Sequence, residues 1–122
     1  MSNPNIVGVA NIYGNNGSVT VTSTAQSLVS NGSSTNAVYK INQIYVSNVD
    51  TAAADDVSVM LVTDPQGTPT TRYIVRKVTV PAGATLEVLS APFYLKENQD
   101  IQVVGVAASG DLEAVATWEE IS

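Results

Sequence analysis

The sequence predicts an all-β fold: an antiparallel β-sandwich of about eight strands with a jelly-roll or related Greek-key topology. Apolar and polar residues alternate in short segments, turn signals recur about every ten residues, and helical periodicity is hard to find. Val and Thr are abundant, which favours a pleated fold over a helical one. Two packed sheets bury the apolar faces of many strands that are apolar on one side only. A closed barrel is the alternative fold.

The N-terminal part of the chain is expected to contain two strands, residues 6–13 and 18–29. The segment between them is Gly14-Asn15-Asn16-Gly17, in which Asn-Gly is a strong signal for a tight turn. A polar loop over residues 31–36 follows the second strand.

Residues 39–49 are predicted to form the next strand, with Ile41, Ile44 and Val46 pointing inward. The step from Ile41 to Ile44 breaks strict alternation, so a β-bulge is expected near residues 42–43.

Val57, Val59 and Leu61 line one face of a further strand. This strand is expected to end at residues 64–67, Asp-Pro-Gln-Gly, where Pro and Gly are well placed for a turn. The next predicted strand covers residues 71–80.

Residues 81–83, Pro-Ala-Gly, are predicted to form a turn, after which Leu86 and Val88 form the inward side of a strand. Pro92 ends that strand or bends it.

The strand is expected to resume over residues 93–95, and residues 96–100 are expected to turn. Alternation begins again at Ile101. The last predicted strand, residues 112–121, carries the only Trp.

Composition excludes several function classes. The chain has no Cys and no His, which removes disulfides, Cys-ligated metals and the usual Ser-His or Cys-His catalytic pairs. Its 5 basic and 11 acidic residues give a net charge of -6, so nucleic-acid binding is not expected. No apolar run has the length of a membrane span and the N-terminus lacks the features of a signal peptide, so we expect no membrane association and synthesis in a cytoplasm.

Four segments carry a resemblance to a known family. They are INQIYVSNVD (residues 41–50), YIVRKVTVPAGATLEV (73–88), FYLKENQDIQV (93–103) and WEEIS (118–122). In this order, and with an Asp-Pro-x-Gly turn after the first, the chain resembles small virion structural proteins of tailed bacteriophages, especially phages that infect cyanobacteria. The similarity covers about residues 38–122.

The resemblance implies a single domain in which residues 38–122 form the sandwich core and residues 1–37 form N-terminal strands or an arm packed on it. It also implies a non-enzymatic virion protein without a cofactor. The leading hypothesis is a decoration or cement protein on the capsid exterior that stabilises the head. The expected partners are the major capsid protein or other virion proteins, and residues 1–37 are the expected shell contacts.

Two other functions stay open. One is a tail, baseplate or fibre component of the same kind of particle. The other is a carbohydrate-binding module, which the thin spread of aromatic residues disfavours. A homo-oligomer is expected, with a trimer first and a dimer second, because decoration proteins of this size commonly sit on local three-fold axes.

The sequence departs from the family in two places. Residues 95–100, Leu-Lys-Glu-Asn-Gln-Asp, lack the Gly that precedes Asp in such proteins, so Asn98 or Gln99 must adopt the turn conformation. Trp118 stands where Tyr is more usual.

The candidate interface residues are Arg72, Arg76, Lys77 and Trp118. The three cations form the only basic cluster, which would either pair with an acidic neighbouring subunit or protect an edge strand from aggregation. Trp118 is expected to be a core residue or a subunit contact rather than a sugar platform.

The carboxylates offer weaker hypotheses. A Ca²⁺ site could use loop carboxylates, but their spacing matches no EF-hand, and we expect no metal; the residues are Asp50, Asp55, Asp56 and Asp64. A glycosidase site formed by a pair of carboxylates is a weaker hypothesis than the Ca²⁺ site. Its candidate residues are Glu97, Asp100, Asp111, Glu113, Glu119 and Glu120. The last two are adjacent on a strand and should point to opposite faces.

Overall fold

The computed structural model describes residues 11–106 and 111–122, and this part of the chain contains nine β-strands and no helix. The strands are β1 (Ile12–Val21), β2 (Gln26–Asn31), β3 (Val38–Asn48), β4 (Asp55–Thr63), β5 (Thr70–Val80), β6 (Thr85–Glu87), β7 (Phe93–Leu95), β8 (Gln99–Gly105) and β9 (Leu112–Ile121). A search of these residues for a helix long and apolar enough to cross a membrane finds none.

The strands form two antiparallel sheets packed face to face. The first sheet has the order β1-β9-β3-β6, with β7 also pairing along β3, and the second has the order β2-β8-β4-β5. Most connections cross from one sheet to the other, and β4 joins its neighbour β5 within the second sheet. The predicted all-β sandwich is thus confirmed. The narrower jelly-roll topology, which requires such crossings, stays a prediction.

One core lies between the sheets and contains the predicted inward residues. Ile41, Ile44 and Val46 have no exposed surface, and Val57 and Val59 face them from the second sheet almost equally buried. Burying a side chain of this size contributes about 1.5–3 kcal/mol. Alternation, interrupted in β3 by the predicted bulge, therefore identified the core faces of these strands correctly.

The predicted bulge in β3 is present. The register of β3 against β9 shifts between Ile41 and Gln43. The side-chain oxygen of Gln43 accepts hydrogen bonds from the backbone N–H groups of Ile44 (3.0 Å) and Leu89 (3.1 Å). The extra residue returns Ile44 to the inward face, which is why the spacing of three in the sequence still gives one apolar face.

The predicted turn at Asn16-Gly17 is wrong, because β1 runs through it without interruption. The predicted strand over residues 18–29 is in fact divided, since β1 ends at Val21 and β2 begins at Gln26. Gly17 serves packing instead of a turn: a Cβ there would lie 3.0 Å from Cη2 of Trp118 and 3.3 Å from the carbonyl oxygen of Leu28. Residues 6–10 of the first predicted strand lie outside the described residues.

The later turns follow their sequence signals. Asp64 has a φ of 55°, and its carbonyl oxygen accepts a hydrogen bond from Gly67 N–H (3.2 Å). Gly83 has a φ of 70° in the Pro-Ala-Gly turn. Asn98, with a φ of 60°, adopts the left-handed conformation that was expected of Asn98 or Gln99, and Asn tolerates it better than most residues.

The segment around Pro92 separates two short strands, as expected. Leu86 and Val88 both pack against the core, so their inward assignment is confirmed. The first of these strands is only three residues long, and Val88 continues beyond it with its N–H bonded to the carbonyl oxygen of Ile44 (2.9 Å). Within residues 1–37, for which N-terminal strands or an arm packed on the sandwich were expected, β1 and β2 are edge strands of the two sheets.

Candidate interaction surfaces

The basic cluster lies on β5, the edge strand of the second sheet. The guanidinium carbon of Arg76 lies 5.0 Å from the centre of the Tyr73 ring, a cation–π geometry. Arg72 pairs with Leu61, which packs on the core, whereas Tyr73 pairs with Met60 on the opposite face of the sheet. The structure therefore groups Arg76 with Tyr73 and places Arg72 on the other face.

Two irregularities in β5 cause this arrangement. Register shifts occur between Val57 and Val59 and again between Val59 and Met60, each adding a residue on β5. At the first shift Lys77 adopts a φ of 51°, and its N–H donates to Oγ of Ser58 (2.9 Å). The bulges bend the edge, so β5 offers a poor template for another strand.

The outer face of the second sheet next to this cluster contains both apolar and polar residues. Met60 is 6% exposed and Val62 is similarly buried, although neither belongs to the core between the sheets. Tyr73, which is 50% exposed, lies opposite Met60 on β5, while Gln102 lies opposite Met60 on β8. We call the exposed ring of Tyr73 together with Arg76 and Lys77 the β5 surface.

Trp118 lies on the inner face of β9 and is 8% exposed. Its ring stacks on Tyr39 with 6.3 Å between the ring centres and an angle of 15°. Its Nε1 donates to Oε2 of Glu120 (3.1 Å). The structure thus gives Trp118 a core role, one of the two predicted for it, and a contact with another subunit stays a prediction.

The carboxylate of Glu120 accepts hydrogen bonds at the end of the sandwich where Trp118 lies. Nδ2 of Asn15 on β1 donates to the same Oε2 atom (2.9 Å). Burial, with a smaller effect from the charge of Glu120, raises the pKa of the Tyr39 hydroxyl. The carboxylate is therefore held by two donors, which ties the end of β1 to β9.

The predicted calcium-ligand candidates do not converge. The carboxylate of Asp50 accepts from the N–H of Ala52 (2.8 Å), that of Asp55 from the N–H of Asp56 (2.9 Å), and that of Asp64 lies at the other end of β4. Within residues 11–106 and 111–122, no three acidic side chains are placed to hold a metal ion together.

The carboxylates proposed for glycoside hydrolysis are also distributed. Glu119 points to the outer face, where it lies 4.0 Å from Nζ of Lys40, while Glu120 points inward, so their predicted opposite orientation is confirmed. Asp100 is buried, and Oγ of Ser30 donates to it (2.7 Å). Glu97 accepts from the N–H of Asn36 (2.8 Å).

Asp64 is the carboxylate whose local environment most clearly favours its charged form. The N–H of Thr68 donates to Oδ2 (3.0 Å) and Nδ2 of Asn98 donates to Oδ1 (3.1 Å). These bonds, with a further one from Gly67, lower the pKa of the Asp64 carboxyl. They fix the loop between β4 and β5 against the turn before β8.

Sequence reasoning missed the edge position of β1, which pairs with no strand other than β9 among residues 11–106 and 111–122. This strand exposes Ile12 and Tyr13, and a cleft of about 350 Å³ runs along it, lined by Ser18, Val19 and Thr20 of β1 and by Glu113 and Val115 of β9. Edge position depends on pairing between strands that are distant in sequence, so no local pattern could reveal it.

No model of a known protein family matches the chain, and a comparison with curated proteins gives no match either. A functional proposal therefore rests on the surfaces described above and on the motifs of residues 41–122.

Proposed function

We propose that the protein is a non-enzymatic structural component of a bacteriophage particle, and specifically a decoration or cement protein that binds the outside of the capsid and stabilises the head. The observation that carries the proposal is the β5 surface, which combines exposed cations with the half-exposed ring of Tyr73. Such a molecule, repeated many times on a shell, can brace its neighbours through contacts that are individually modest.

The cations of the β5 surface are available to a partner. In the part of the chain that the structure describes, the ion pair joins Lys40 and Glu119, and no carboxylate lies within ion-pair distance of Arg72, Arg76 or Lys77. The chain carries 11 acidic residues, yet three of its five cations lie together on one strand. This separation favours a partner with an acidic surface.

The aromatic part of the β5 surface adds specificity to the charge. Arg and Tyr are the residue types that most often dominate binding energy in interfaces. Arg76 is already positioned over the Tyr73 ring, so little side-chain freedom remains to be lost on binding. We therefore expect Arg76 and Tyr73 to be the centre of the contact with the major capsid protein or another virion protein.

The test compares two charge reversals of equal size. Arg76→Glu should weaken binding of the purified protein to particles that lack it by about tenfold or more. Lys96→Glu is the matched control, because Lys96 follows β7 in the other sheet and should leave binding unchanged. Particle binding measured by sedimentation gives the comparison, and equal binding of both variants would contradict the role of the β5 surface.

The position of the protein on the particle distinguishes a decoration protein of the head from a tail component. Electron microscopy of particles carrying the gold-labelled protein should show label over the whole capsid surface. Label confined to tails or baseplates would replace the decoration hypothesis by the tail-component alternative. Absence of the protein from the particle would contradict both.

A further inference from the structure

The edge formed by β1 differs from the other sheet edges of the molecule. All ten residues of β1 pair with β9 without a register shift. By contrast, β5 carries two bulges and three cations, β2 has six residues with a shift, and β6 and β7 have three residues each. Bulges, shortness and charge are the usual means by which proteins keep sheet edges from pairing. Among the described strands, β1 is the long edge that lacks them.

The ladder fixes which backbone groups of β1 face away from β9. Asn11 and Ser122 exchange two hydrogen bonds, N–H to O in both directions (2.9 and 3.0 Å). Bonded and non-bonded pairs alternate along an antiparallel ladder. The N–H and C=O groups of the even-numbered residues therefore point to the open edge; these residues are Ile12, Gly14, Asn16, Ser18 and Thr20. Of their N–H groups, that of Asn16 is bonded to Oδ1 of Asn15 (2.8 Å).

The strands that form this edge of the sandwich carry no charged side chain of their own, although Glu113, Glu119 and Glu120 lie on the adjoining strand β9. The first charged side chain in the sequence is Lys40, so β1 and β2, the neighbouring edges of the two sheets, contain none. The whole chain carries a net charge of -6, so two copies repel each other unless they meet where charge is absent. Ile12 and Tyr13, which are 57% and 61% exposed, add apolar area at this edge. The edge formed by β1 is therefore suited to pairing with a second copy of the chain.

We propose that β1 pairs antiparallel with β1 of a second copy across a two-fold axis, so that the first sheet runs continuously through a dimer. The other described edges are obstructed, so the strand that β1 meets is another β1, and a self-pairing edge generates a closed dimer rather than a ring. This inference does not rest on the proposed function. The proposed dimer differs from the trimer, which was the first expectation from the resemblance. A trimer would join β1 to a different strand edge.

The first experiment removes an outward N–H group. Ser18→Pro deletes an N–H that points away from β9, so the fold should be retained while pairing at the edge is blocked. Sedimentation of the wild type should give twice the 12.7 kDa chain mass, and Ser18→Pro should give the monomer with an unchanged circular dichroism spectrum. Ser18→Lys, which places a charge on the edge, should also give the monomer. If Ser18→Pro does not fold, the mass of Ser18→Lys is the test of pairing through β1.

Thr117→Lys is the matched control, because Thr117 lies one strand inward on the same outer face and should leave the dimer intact. Single cysteines then locate the contact, since the chain has no Cys of its own. On oxidation, at least one of Gly14→Cys, Asn16→Cys, Ser18→Cys and Thr20→Cys, alone or mixed with the variant two residues away, should form disulfide-linked dimers, and Ser47→Cys on β3 should not. A monomeric or trimeric wild type, a dimer insensitive to both Ser18 variants, or no cross-linking along β1 would overturn the proposal.

Discussion

Gly17 shows how a single residue can determine the course of a strand. Its missing side chain admits the Trp118 ring, and we expect Gly17→Ala to lower the free energy of unfolding by about 1–3 kcal/mol, since a Cβ would press on the indole and on the Leu28 carbonyl. Gly14→Ala is the control: nothing lies within 4 Å of a Cβ there, so stability should stay equal or rise slightly. Urea unfolding measures both, and equal losses would contradict the packing role of Gly17.

Asp64 is expected to link stability to pH. Hydrogen bonds hold its pKa in the folded state below that of the unfolded chain, so the carboxylate stabilises the protein above the unfolded value of about 3.9. That contribution should disappear as the pH falls through the lower folded-state pKa. The loss of stability caused by Asp64→Asn should therefore be larger at neutral pH than in acid. Thermal unfolding across pH checks this, and a pH-independent difference would refute it.

The successes and failures of residue-level prediction have a common physical cause. The inward positions of Ile41, Ile44 and Val46 were predictable because alternation in a strand depends on local geometry, and the spacing of three between Ile41 and Ile44 reveals the one bulge. The Asn16-Gly17 turn was not, because the deciding contact comes from Trp118, about a hundred residues later. Local preference gave way to long-range packing at this position.

At the scale of an element, β5 owes its shape to an unfavourable backbone conformation. Lys77 has a φ of 51°, which costs an L-residue roughly 1–2 kcal/mol, whereas glycine adopts it freely. We expect Lys77→Gly to raise the free energy of unfolding by about 0.5–1 kcal/mol, and Lys77→Val to lower it by at least about 1 kcal/mol.

The control for these variants is a glycine at an extended position of the same strand. Thr71→Gly should lower the free energy of unfolding by about 0.5–1 kcal/mol, because flexibility is added without relief of strain. If Lys77→Gly and Thr71→Gly both destabilised the protein to the same extent in urea, the left-handed conformation at Lys77 would carry no energetic cost.

The same bulges explain why the candidate surface could be predicted only in part. The sequence correctly predicted a strand containing Arg72, Arg76 and Lys77, and it allowed that they protect an edge. Alternation alone would put Arg72 and Arg76 on one face, since they are four residues apart. The extra residue near Ile74 shifts the phase, so Arg76 joins Tyr73 on the outer face. Bulge positions depend on the partner strand and leave little trace in β5 itself.

At the scale of the whole molecule, the two outer strands on one side of the sandwich differ in charge from the outer strand β5 on the other. Every charged side chain lies at or after Lys40, so β1 and β2 carry none, and the carboxylates nearest to β1 belong to β9. The opposite side ends in the cationic strand β5. A protein with a net charge of -6 can therefore meet its own copy at one side and an acidic partner at the other, without competition between the two contacts.

This difference in charge predicts opposite responses to salt. Added salt screens the repulsion between two copies of net charge -6, so the dimer formed through β1 should become slightly tighter as ionic strength rises. Salt also screens the attraction between the β5 surface and an acidic partner, so particle binding should weaken over the same range. Sedimentation of the free protein and of its mixture with particles at low and moderate salt measures both. If salt weakened self-association and particle binding alike, the contact between copies would have to involve the cations of β5, and the uncharged edge could not be its main site.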